Sequence, residues 1–178
     1  MATMKIVRIA PLAAVVLLAA CAAQPHELVQ PQPTGPESVR AEVSAITSRL
    51  PQFHEVAGHW QSEDTASIYH AYFDHGRVRY IMETAGGERT QGYAVNKYYY
   101  NARGLFYFHG QGSAGSEDVV NPHPAQIDVQ IAFDGTGRVA RAVKTLNGRK
   151  VALEPGEAAA IRAHAGELRR QAQADLAR

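Results

Sequence analysis

The residues best equipped for chemistry in this chain are its eight histidines, and the first question is whether any stands where a reaction would need it. His54-Glu55 followed by His59 has the residue types of a zinc hydrolase, two imidazoles to hold the metal and a carboxylate to activate water. That chemistry requires the second histidine one helical turn after the first, at position 58, which is Gly. Gly110-Gln111-Gly112-Ser113-Ala114-Gly115 matches a dinucleotide fingerprint in form. Yet Asn121-Pro122-His123-Pro124 continues as loop where a helix would have to receive the pyrophosphate. His70, His75, His109 and His123 could serve a metal or haem, but none sits in a recognised ligand motif. Asp, His and Ser are present with no spacing that ties them into a nucleophilic set. No catalytic residue and no cofactor is therefore assigned.

What remains is a recognition surface, and it depends on how one stretch folds. From Gly92 to Gly112, two aromatic-rich runs flank Asn101-Ala102-Arg103-Gly104 and predict a β-hairpin. Asn101 can hydrogen-bond its own backbone, and Gly104 supplies the left-handed conformation of a type I turn closed by a bulge. Constant index sums then pair Tyr100 with Phe106, Tyr99 with Tyr107, Tyr98 with Phe108 and Lys97 with His109. Alternation puts Tyr98, Tyr100, Phe106 and Phe108 on one face, and Lys97, Tyr99, Tyr107 and His109 on the other.

The device recurs in Tyr72-Phe73-Asp74-His75-Gly76-Arg77-Val78 and in Phe133-Asp134-Gly135-Thr136-Gly137-Arg138-Val139. An aromatic residue precedes each Asp or Asn, with Val78, Phe106 or Val139 across the turn, so one apolar face runs through all three hairpins. That face is the expected core, carrying Phe73, Tyr100, Phe106, Phe108 and Phe133. The opposite face is expected to carry His70, Tyr72, Arg79 and Glu83, together with the Lys97, Tyr99, Tyr107 and His109 set. Its residue types are those of a recognition surface, or of a face that the first helix covers.

The flanking elements follow from periodicity. Pro36 can start a helix with Val39, Val43, Ile46 and Leu50 on one stripe, and Pro51 stops it. Strands are expected near 67–73, 77–83, 89–100, 105–109, 126–133 and 138–146, and Asn147-Gly148 turns the chain into a short last one. A loop from Gly110 to Ala125 would be the longest connection. Beyond Pro155-Gly156, Ala158, Ile161, Ala165, Leu168, Ala172 and Leu176 make the stripe of a long helix. The expected fold is α+β, a curved antiparallel meander of about seven strands covered by that helix.

Three resemblances bear on this reading. Lys5 and Arg8, an apolar run from Ile9 to Leu17, and then Leu18-Ala19-Ala20-Cys21 resemble the signal and lipobox of bacterial lipoproteins. The resemblance implies that residues 1–20 are removed, that Cys21 carries a diacylglycerol and an N-acyl chain, and that residues 21–35, rich in Pro and Gln, form a tether to a single domain at 36–178. Because Ala22 is not Asp, it also implies the outer membrane of a Gram-negative envelope, facing the periplasm. Gly58-His59-Trp60 resembles the Gly-x-Trp signature of lipocalins and makes a β-barrel the alternative fold. The three hairpins resemble, more distantly, the Y-D-x-x-G repeats of secreted β-rich proteins.

Removing residues 1–20 takes two of the 18 basic residues and none of the 17 acidic ones, leaving 158 residues with a formal charge of −1. A near-neutral body lacks the basic footprint of a nucleic-acid binder. Cys21 is the only cysteine, so no internal disulfide can form. The expectation is a lipid-anchored envelope protein, a non-catalytic module that binds a protein or small ligand through Lys97, Tyr99, Tyr107 and His109. A metal or haem carrier and a periplasmic enzyme are the alternatives.

Overall fold

The computed structural model describes residues 32–62, 65–87, 92–114 and 124–178. The lipobox and its Cys21, and the segment 115–123 with His123, lie outside the described residues. Helix α1 (Pro36–Arg49) is followed by β1 (His54–Gln61), β2 (Ala66–Asp74), β3 (Arg77–Gly87), β4 (Gly92–Asn101), β5 (Gly104–Ala114), β6 (Ala125–Phe133), β7 (Val139–Leu146), β8 (Arg149–Val151) and helix α2 (Glu157–Leu176). The strands form one antiparallel sheet in strict sequence order from β1 to β8. It is an open α+β meander, so the lipocalin-like barrel is not its architecture.

Eight strands stand where about seven were expected, because His54–Gln61 pairs along its whole length with β2. The Gly-x-Trp resemblance falls within it and has a local cause. A side chain at Gly58 would collide with the Tyr69 ring, whose hydroxyl donates to Asp175 near the end of α2. The expected loop from Gly110 also starts later, since Gly110 to Ala114 continue β5 in register with β4 and β6.

Turn chemistry follows the sequence. Asn101 Oδ1 accepts from the Arg103 amide, Asp134 Oδ1 accepts from the amides of Thr136 and Arg138, and Gly76, Gly104 and Gly137 have positive φ. What the sequence did not place is the extra residue just inside each hairpin, which in the central one falls at Phe106 and not at Gly104. Phe73 faces Val78 while Tyr72 faces Tyr80, which leaves Arg79 over. Tyr100 faces Leu105 while Tyr99 faces Tyr107, leaving Phe106; Phe133 faces Val139 while Ala132 faces Arg141, leaving Ala140. A bulge of this kind shifts the facing of every later residue by one.

Two corrections result. Phe106 leaves the core face shared by Phe73, Tyr98, Tyr100, Phe108 and Phe133, and is buried on the other side with Tyr80, Tyr99 and Ala132. Glu83, expected on the outer face, turns into the α2 side and is 2% exposed.

Each face is closed by one helix. The α2 stripe packs as anticipated, with Ala165, Leu168 and Ala172 buried against Tyr69, Ile81, Tyr100 and Ile131. Val39 and Ile46 of α1, helped by Val43 and Leu50, cover the opposite face. The last residues of the expected tether already belong to this body: Gln32 and Pro33 are buried, and Gln32 Nε2 donates to the Leu105 carbonyl. Among the described residues no helix is long and apolar enough to cross a membrane.

Candidate functional site

The bulge at Arg79 delivers a carboxylate to the middle of the α2 face. Glu83 Oε1 accepts from Ser67 Oγ at 2.7 Å and from His164 Nε2 at 2.8 Å. Oε2 accepts from Tyr98 Oη at 2.8 Å and from Asn96 Nδ2 at 3.2 Å. Four elements contribute: β2, β3, β4 and α2. Burial alone would raise the carboxyl pKa, but the hydrogen bonds from His164, Ser67 and Tyr98 outweigh it and bring it to about 2. Burial and the neighbouring Glu83 charge push the Tyr98 hydroxyl well above its ordinary range, so it stays protonated and donates.

An ionised carboxylate only accepts, so the proton of this pair sits on His164 Nε2. The ring is fixed further by Trp60, whose indole meets it edge-on at 4.4 Å. Ser67 donates to the carboxylate and not to the imidazole, so this is no nucleophile activated by a base. A carboxylate held at about pKa 2 is also a weak base. The cluster's chemistry is that of a fixed hydrogen-bonding wall.

That wall borders a cleft of about 450 Å³ between the sheet and the first half of α2. Tyr98, Phe108, Ile127, Val129 and Ile161 give it an apolar lining, while Asn96, His164 and Glu157 supply polar groups. Its floor is open because the cleft-facing positions of β5 after Phe108 are Gly110 and Gly112. A Cβ at Gly110 would come within 2.7 Å of the Phe108 ring, and one at Gly112 would collide with the Tyr93 carbonyl oxygen. Volume, lining and a few convergent polar groups are the attributes of a small-molecule site. Lys144 Nζ, 2.9 Å from Glu157 Oε2, pins the start of α2 at its rim.

The residues singled out from the sequence do share one face, as the pairs Lys97 with His109 and Tyr99 with Tyr107 require. It is the face that α1 covers. Tyr99 is 7% exposed, packed against Tyr80 and Tyr107 with ring centroids 4.9 Å and 5.7 Å away. Tyr107 lines a smaller cavity of about 240 Å³ beside α1, with Arg40, Gln130 and Arg141. Its hydroxyl, pushed up to about 12 by burial and by Tyr99, lies 3.2 Å from Gln130 Oε1. His109 Nε2 is 2.9 Å from Asp128 Oδ2, which also accepts from Gln111. His70 and His75 are each taken by one carboxylate, Glu55 at 2.6 Å and Asp74 at 2.8 Å. Among the described residues no three His, Cys, Asp or Glu gather as a metal-ligand set.

Sequence reasoning missed Glu83, His164 and the cleft. The usable signal was glycine at alternate positions of a strand, Gly110 and Gly112, directly after the aromatic run Phe106-Tyr107-Phe108. Compared with protein-family models, with curated proteins and with solved structures, the chain matches none.

Proposed function

We propose that the protein is a lipid-anchored module of the bacterial envelope that binds a small, mostly apolar molecule between its sheet and α2. The observation that carries the binding half is the cleft of about 450 Å³, floored by glycine backbone and walled by a hydrogen-bonded His164. An apolar body would pack on Phe108, Ile127, Val129 and Ile161, and one polar group of the ligand would meet Asn96 or His164. Support for the anchor is Leu18-Ala19-Ala20-Cys21 within its signal context, with Ala22 favouring the outer membrane and a periplasm-facing body. The α1 face suits this function less, because its aromatic residues are already spent on packing.

Native mass spectrometry of the mature protein, extracted from its own membranes in mild detergent, tests both halves. The expected result is a covalent mass consistent with acylation at Cys21 plus a non-covalent small molecule that Ala160→Phe removes. Ala160 is exposed at the cleft, so a larger side chain there can block it without disturbing the core. A bare polypeptide mass would refute the anchor; an acylated protein with no companion would refute the binding reading.

A further inference from the structure

Successive turns of an antiparallel meander alternate ends, so those joining β2 to β3, β4 to β5 and β6 to β7 emerge at the same end of the sheet. That end is arginine-rich. Arg77, Arg103 and Arg138 come from the three turns, Arg49 from the last turn of α1, and Arg162 and Arg169 from α2. Several are visibly aimed there: Arg49 reaches Asp74 at 3.2 Å, and Arg162 Nη1 donates to the Gly137 carbonyl at 2.6 Å. Arg103 lies against Gly135, so Arg103, Arg138 and Arg162 gather around one turn.

The acids at this end offset only part of that charge. Asp74 is shared by Arg49 and His75, and Asp134, kept ionised by hydrogen bonds within its own turn, stands beside Arg138; among the described residues no salt bridge engages Arg103, Arg162 or Arg169. The described lysines, Lys97, Lys144 and Lys150, all lie elsewhere on the strands. Guanidinium forks fit phosphate oxygens in pairs, which a lysine point charge does not.

The chain also enters here. Gln32 docks on the Leu105 carbonyl beside the β4–β5 turn and touches the Gly135 position of the β6–β7 turn. Cys21 precedes it by eleven residues, which span at most about 40 Å.

We infer that this turn end is a membrane-docking surface that rests on anionic phospholipid headgroups. The inference deepens the proposed function and rests on its anchor at Cys21. The tether holds the arginines near the bilayer, and phosphates within a Debye length of about 8 Å orient the body. The cleft, bounded by Tyr93, Gly112 and Ser113 toward the other end of the strands, then faces away from the membrane.

The test mixes the full acylated protein with vesicles of phosphatidylcholine alone or with added phosphatidylglycerol, and reads flotation and backbone hydrogen exchange. The expected result is flotation with both, with exchange in the turns at 74–77, 101–104 and 134–138 slowed about tenfold only on anionic vesicles. A variant with Arg103→Gln, Arg138→Gln and Arg162→Gln should lose that protection and still float. Flotation with both and identical exchange would overturn docking and leave the anchor standing. Flotation with anionic vesicles only would support docking and sink the anchor, and flotation with neither would overturn both.

Discussion

Each face of the sheet carries one helix and a glutamate drawn in from the surface, Glu42 half-buried on α1 and Glu83 buried beneath α2. Burial pushes both carboxyls toward the neutral form, yet they end on opposite sides of the ordinary value. Glu42 is raised, because burial outweighs the nearby Arg79 charge and a hydrogen bond from Asn101. Glu83 is lowered to about 2, because hydrogen bonds from His164, Ser67 and Tyr98 outweigh its burial. Hydrogen-bond supply, and not depth, decides the direction of the shift. The faces differ in packing too. Under α1, the rings of Tyr72, Tyr80, Tyr99 and Tyr107 pack on one another and leave a cavity of about 240 Å³, whereas under α2 two glycines open a cleft of about 450 Å³.

The comparison can be broken most forcefully in the cores. Phe133→Ala on the α2 face and Phe106→Ala on the α1 face should each cost about 3 to 5 kcal/mol in denaturant unfolding, since both rings are fully buried. Phe106→Ala behaving like a surface substitution would contradict its burial beneath α1. Glu83→Ala should be of similar size, about 3 to 5 kcal/mol, because it strands the donors of Ser67, Asn96, Tyr98 and His164.

Acid titration sharpens the contrast between the two glutamates. Glu83 is depressed in the folded state, so its contribution is present above the unfolded pKa of about 4.5 and is lost as pH falls toward 2. The shift corresponds to on the order of 3 kcal/mol, and Glu83→Gln should flatten the stability profile across that window. Glu42 has the opposite sign. Its raised pKa favours the protonated folded form, so Glu42→Gln should be neutral to stabilising at pH 7, by less than about 1 kcal/mol, and that gain should vanish on acidification. Profiles of equal sign for the two variants would contradict the assignment. Lys97→Ala, on a half-exposed stretch of β4, should change stability by no more than about 0.5 kcal/mol.

Much of the fold was legible. The Asp or Asn turns, the pairs from Lys97 with His109 to Tyr99 with Tyr107, and the stripes of both helices follow from local chemistry and periodicity. The positions of the bulges were not legible, because nothing in Arg79, Phe106 or Ala140 announces an extra residue there, and one extra residue exchanges the faces. That single effect moved Phe106 to the α1 core and Glu83 to the α2 core. The first strand escaped notice because only alternate, half-buried positions of His54–Gln61 contact the body. The site was illegible for a deeper reason. Ser67, Glu83, Asn96, Tyr98 and His164 are scattered over four elements, and only tertiary packing makes them neighbours.

Trp60, the only tryptophan, stands edge-on to the His164 ring at the cleft wall, and it makes the central claim directly measurable. N-phenyl-1-naphthylamine, a neutral aromatic amine, accepts energy from tryptophan when held nearby. If the cleft is the binding site, titrating the probe should give saturable transfer from Trp60 that Ala160→Phe abolishes and Tyr107→Ala leaves unchanged. Transfer that survives Ala160→Phe and disappears in a folded Tyr107→Ala protein would contradict the account and return the binding surface to the α1 face.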